Sequence, residues 1–98
     1  MLQLDGVDVL RWADSNELTS MPTVLRVGPY RSFFYAGDRD EPPHVHVERE
    51  DKVAKFWLDP IRLQESGGFS RPELSRIQKL LSAHQDSLRE AWDEYFGG

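Results

Sequence analysis

The sequence predicts an α+β domain: a short antiparallel β-meander of about four strands packed against one long C-terminal amphipathic helix, with a candidate hairpin at the N-terminus. Three observations predict it. Between Met21 and Leu58, β-branched and aromatic residues come in short blocks separated by Gly, Pro and acidic dipeptides. From Ser70 to Phe96 the apolar positions change to helical spacing. A chain of 98 residues is sized for one core.

The elements follow in order. Leu2-Gln3-Leu4 and Val7-Asp8-Val9 alternate around Asp5-Gly6, a dipeptide suited to a tight hairpin turn. Arms this short need something to pack on, so residues 1–20 read as an N-terminal extension that covers a sheet edge, and residues 21–98 as a single domain. Thr23 to Val27 reads as a strand, Gly28-Pro29 as a turn, and Tyr30 to Tyr35 as an aromatic strand. Ala36 to Pro43 is a polar loop stiffened by two prolines. His44 to Glu48 alternates as a half-buried strand does. In the strand Val53 to Leu58, Ala54, Phe56 and Leu58 share one face, and Lys55 and Trp57 the other. Ile61 to Ser66 is ambiguous between extended chain and a helical turn. Gly67-Gly68 breaks the chain. Ser70 caps the helix, with Pro72 in its first turn and Glu73 placed for a capping box. Leu74, Ile77, Leu81, His84, Leu88, Ala91 and Tyr95 form the helix stripe, Leu80, Trp92 and Phe96 widen it, and Gly97-Gly98 ends it.

Composition narrows the function classes. With 39% hydrophobic and 30% charged residues the chain is globular in type rather than disordered. Zero cysteines exclude disulfides and thiolate metal sites, which fits a reducing, cytoplasmic setting. No apolar run approaches the roughly 20 residues of a membrane helix, and the N-terminus lacks the pattern of a secretion signal. A formal net charge of −5 weighs against broad phosphate-backbone binding, although a local basic patch remains compatible with RNA. No nucleotide-binding glycine loop or serine-hydrolase elbow occurs, so no organic cofactor is expected.

Several stretches resemble a bacterial domain-of-unknown-function family, number 4160: M-P-T-V-L-R-V-G-P-Y-R at 21–31, F-F-Y at 33–35, E-P-P-H-V-H-V-E at 41–48, A-K-F-W-L-D-P at 54–60 and G-G-F-S at 67–70. Members of that family commonly begin near the Met-Pro, so residues 1–20 depart from its pattern. The resemblance implies no chemistry. It implies a two-gene setting like that of toxin–antitoxin modules, and with it a small protein partner encoded nearby or a second copy of the chain.

The strongest chemical candidate is His44-Val45-His46-Val47-Glu48. On a strand, His44, His46 and Glu48 project from one face. Two imidazoles and a carboxylate suit a divalent metal. The same imidazoles suit general acid–base catalysis. A polar strand face with hydrogen-bonded histidines accounts for the pattern equally well. Asp38, Arg39, Asp40 and Glu41 lie on the loop entering this strand and read first as a solvated charged loop. Arg31, Arg49, Lys55 and Trp57 are candidates for holding RNA or phosphate, by charge and by stacking; ordinary surface charge is the competing reading. His84, on the helix stripe, reads as a satisfied histidine. Were the helix to cross the sheet beside His44 and His46, it would complete a metal set of His44, His46, Glu48 and His84. Three functions are therefore expected, in this order: a protein-binding component of a two-gene module, a toxin-type ribonuclease using His44 and His46, and a histidine-based metal protein.

Overall fold

Alternation along each apolar block decides which side of each strand turns inward. The computed structural model describes residues 7–9 and 23–97. It contains β1 (Val7–Val9), β2 (Thr23–Val27), β3 (Tyr30–Phe33), a 3-10 helix (Ala36–Asp40), β4 (His44–Arg49), β5 (Lys52–Leu58), β6 (Ile61–Glu65), α1 (Arg71–Ala83) and α2 (Gln85–Tyr95). Each strand pairs antiparallel with the next, so the sheet order is the chain order.

The predicted meander is present and is larger than expected. β1 pairs with β2 through Val7↔Val27, Asp8↔Arg26 and Val9↔Leu25, so part of the N-terminal extension does line a sheet edge. The other arm of the expected hairpin, Leu2 to Leu4, lies outside the described residues. The ambiguous stretch from Ile61 is a strand, because Leu58↔Ile61 and Phe56↔Leu63 continue the ladder.

The sheet has two unlike faces. Leu25, Ser32, Val47 and Ala54 form one row in register across β2 to β5, all buried. The helices cover this side, where Ile77, Leu81, Leu88 and Trp92 pack with Val45, Phe56 and Leu58. Burying each large apolar side chain contributes roughly 1.5–3 kcal/mol, against about 0–1 kcal/mol for an exposed ion pair. This face therefore holds the fold together. The second face carries two rows that mix aromatic and polar side chains: Phe33, His46 and Lys55, and beside it His44, Trp57 and Arg62.

The single long helix of the sequence reading is two helices. His84 departs from helical geometry (φ −119°, ψ 20°) and is both the C-cap of α1 and the N-cap of α2. Its backbone N–H reaches the Leu81 and Ser82 carbonyls, short of the helical partner Leu80, whose carbonyl lies 2.9 Å from its Nδ1. Gln85 then donates to the Leu58 carbonyl at 2.7 Å, fixing the start of α2 on the sheet. Periodicity did not reveal the break because the apolar stripe continues across it. At the N-terminus, Ser70 accepts from the Glu73 N–H as expected. The Glu73 carboxylate is drawn off instead by Tyr30 and Arg49, at 2.8 and 2.6 Å.

Gly67 is required by a close approach. Its φ is +61°, and a Cβ there would fall 1.8 Å from the Val53 carbonyl oxygen. Gly67→Ala is expected to cost at least about 2 kcal/mol through strain and backbone displacement. Urea unfolding followed by circular dichroism checks this; an unchanged midpoint would show that the turn does not press on β5.

Candidate functional site

Two prolines and one aspartate bring the site together. Pro43 lends its carbonyl to the Leu58 N–H at 3.0 Å, which ties the loop to the end of β5. The Pro42 carbonyl lies 2.9 Å from His44 Nδ1. A carbonyl only accepts, so Nδ1 carries a ring proton and donates it. Upstream, the Asp38 N–H donates to the Tyr35 carbonyl at 3.0 Å. The Tyr35 N–H donates in return to Asp38 Oδ2 at 2.9 Å. This reciprocal clamp turns the Asp38 carboxylate back onto β4.

The carboxylate comes to rest between the two imidazoles. Asp38 Oδ1 is 3.1 Å from His44 Nε2, and Oδ2 is 3.2 Å from His46 Nε2. One donor atom from each of Asp38, His44 and His46 lies within 4.8 Å of the others. His44 is 0% exposed, and His46 and Asp38 are each 9% exposed. The His46 contact is a hydrogen bond. The His44 contact is not: Nε2 is close to Oδ1 but out of hydrogen-bonding alignment, so this buried nitrogen has no partner. A buried polar atom left in that state costs about 1–3 kcal/mol.

The walls are aromatic. Phe33 stacks on the His46 ring at 5.4 Å, and Tyr35 meets it edge-on at 4.5 Å. Trp57 and Trp92 flank His44 at 5.7 and 5.2 Å. Burial in this setting pushes the His46 pKa below its ordinary value, with Asp38 opposing and His44 and Lys55 adding to the effect. His46 is therefore held toward its neutral form.

The residues singled out in sequence divide into two groups. Lys55 and Trp57 lie beside the histidines, since Lys55 pairs with His46 and Trp57 with His44 across β4 and β5. Lys55 sits over the Trp57 ring at 5.1 Å and binds Glu41 at 2.6 Å, a bond that holds the Glu41 carboxyl below the usual range. Arg31 and Arg49 do not join them. Arg31 is held by Glu48 and Thr23 at 2.9 and 2.7 Å. Arg49 makes a two-pronged contact with Glu73 at 2.6 and 3.0 Å. Glu48 is thus engaged by arginine, and His84 is engaged at the helix junction; neither belongs to the donor cluster among the described residues. Asp38 takes their place. The usable signal was the rigid Pro-Pro joint directly before His44, which brings the acidic loop back onto the strand.

A pH dependence follows for the metal-free protein. Because the folded pKa of His46 is lowered, the unfolded chain takes up its proton first as pH falls. His46 is expected to oppose stability progressively below about pH 6.5, with the loss complete once pH is below the folded pKa. Urea midpoints at pH 7.5 and 5.5 are expected to differ in wild type and to differ less in His46→Asn. Equal differences in both would remove His46 as the cause.

No curated protein matches the chain, and no solved structure does. A family model described as a domain of unknown function (DUF4160) matches residues 30–93, which include the whole of the Asp38, His44 and His46 cluster. The chain belongs to the DUF4160 family.

Proposed function

We propose that the chain is a metal-binding protein whose centre is Asp38, His44 and His46. The observation that carries this reading is the buried, unpartnered His44 Nε2, 3.1 Å from a carboxylate oxygen while Nδ1 is committed to the Pro42 carbonyl. Two electron-rich atoms facing each other call for a cation between or beside them. Histidine ligands commonly donate their other ring N–H to a backbone carbonyl, as His44 does to Pro42. Two imidazoles and one carboxylate form a donor set for zinc or iron(II). With bonds near 2.0–2.1 Å, neighbouring ligand atoms in a tetrahedral zinc site stand about 3.3 Å apart. The 3.1 Å between His44 Nε2 and Asp38 Oδ1 is close to that, and His46 Nε2, hydrogen-bonded to Oδ2 at 3.2 Å, would exchange its proton for the metal.

The competing cation is a proton on Nε2, which would make His44 and Asp38 a buried ion pair. Metal analysis of untagged protein separates the two. About one equivalent of zinc is expected, and zinc at 100 times its Kd should add about 2.7 kcal/mol of stability. That is about 10 °C or more in melting midpoint for a domain of this size. Asp38→Asn should weaken zinc binding at least about a hundredfold. Absence of any zinc effect on the midpoint, in wild type, would discard the metal reading in favour of the ion pair.

The other two readings have different support. Partner binding in a two-gene, toxin–antitoxin-like module is favoured by β6, an edge strand that leaves Leu63 38% exposed. The apolar helix face offers it less, because the chain's own sheet covers that face. Ribonuclease action by His44 and His46 is less favoured. His44 has no exposed surface with which to meet a substrate, and Arg31 and Arg49 are tied to carboxylates.

A further inference from the structure

Resting on the metal reading above, we infer that the centre binds a single phosphate group of a small molecule between the metal and the Lys55 ammonium, with Glu41 as the internal anion that occupies Lys55 until phosphate displaces it.

Three protein ligands leave a tetrahedral ion one open position. His44 is sealed, whereas the side chains of His46 and Asp38 are 11% and 12% exposed, so a ligand would reach the site from their side. Lys55 stands directly across from His46 on the neighbouring strand and on the same face. Its side chain is 15% exposed, and its ammonium is held by the Glu41 carboxylate at 2.6 Å. Glu41 itself is 48% exposed and lies at the C-cap of the 3-10 helix that carries Asp38. An exposed ion pair contributes little stability, about 0–1 kcal/mol, so exchanging this carboxylate for another anion costs little. A phosphate oxygen on the metal, with a second oxygen on Lys55, would gain two charge-assisted contacts in place of one.

The same charge inventory limits the ligand's size. A nucleic-acid strand needs several cations along its backbone. Arg31 and Arg49 are tied to carboxylates, and Arg39 is spent on the Phe96 carbonyl at 3.0 Å. Lys55 and Arg62 are the cations in the two histidine rows, enough with one metal ion for one phosphate and too few for a strand, on a chain whose net charge is −5. Tyr35 beside His46 and Trp57 under Lys55 offer flat apolar surface for whatever the phosphate is attached to.

The test uses the full chain loaded with cobalt(II), whose visible spectrum reports its ligands. Cobalt affinity is titrated separately for each variant, so a lost metal is told from a lost anion site. Inorganic phosphate is expected to change the spectrum of the loaded wild type saturably. Lys55→Gln should weaken phosphate binding roughly tenfold, and Glu41→Gln should strengthen it. A short single-stranded RNA should bind no better than phosphate alone. Loaded protein whose spectrum ignores phosphate, or loaded Lys55→Gln that binds it as well as wild type, overturns the inference and leaves the metal reading standing. RNA binding far tighter than phosphate overturns the single-phosphate assignment. Failure to bind cobalt at all overturns both readings together.

Discussion

The site depends on how one aspartate is held. Asp38 is tethered at both ends of its residue to Tyr35, by its own N–H and by its carboxylate, and so cannot swing into solvent. His44 is equally constrained, with one ring nitrogen used by the Pro42 carbonyl. Two groups that each have strong alternatives in water are thereby fixed 3.1 Å apart in an aromatic enclosure. Holding an unpartnered imidazole nitrogen against a carboxylate oxygen out of water is unfavourable unless a cation joins them. Local backbone chemistry thus creates a demand that either a metal ion or a proton must meet.

The rest of the fold supplies rigidity to that arrangement. β4 is paired with β5 along its whole length, and with β3 from His46 to Glu48. One face of it, Val45 and Val47, is locked into the helix-covered core, so the other face is presented at a fixed height and angle. The helices also reach the site from beneath: Trp92 of α2 packs on Phe34 at 5.2 Å and on His44 at 5.2 Å. Core stability and site geometry therefore share residues, and substitutions at Trp92 would disturb both. Far along the same strand, Arg49 joins Glu73 and Tyr30 into a network between the sheet and the start of α1, where the Arg49 contact first and then Tyr30 keep the Glu73 carboxyl below its usual range. That end of β4 serves the fold, and the His44 end carries the donor cluster.

Much of this was legible in the sequence, for physical reasons. The period of two along Val53 to Leu58 put Ala54, Phe56 and Leu58 on one face, and that face is the buried one, because a strand half buried against helices has no other stable pattern. The same period placed His44 and His46 on one side. The break at His84 was not legible, since an apolar stripe records which face is buried and not whether the axis is continuous. Asp38 was also missed. Within Asp38-Arg39-Asp40-Glu41 its carboxylate looks like its neighbours, and only the clamp to Tyr35 singles it out. Glu48 seemed the natural third ligand by alternation, yet Arg31 opposite it in the adjacent strand claims it first. Cross-strand partners are fixed by register, which a single sequence does not display.

Nitrogen NMR of the two His44 ring nitrogens at neutral pH probes the central claim most directly, because it reports which atoms carry protons. The expected result is one proton, on Nδ1, and a lone pair on Nε2 whose resonance moves when zinc is added. Protons on both nitrogens, with neither resonance responding to zinc, would mean that a buried ion pair with Asp38 already meets the demand for a cation, and that no metal centre exists there.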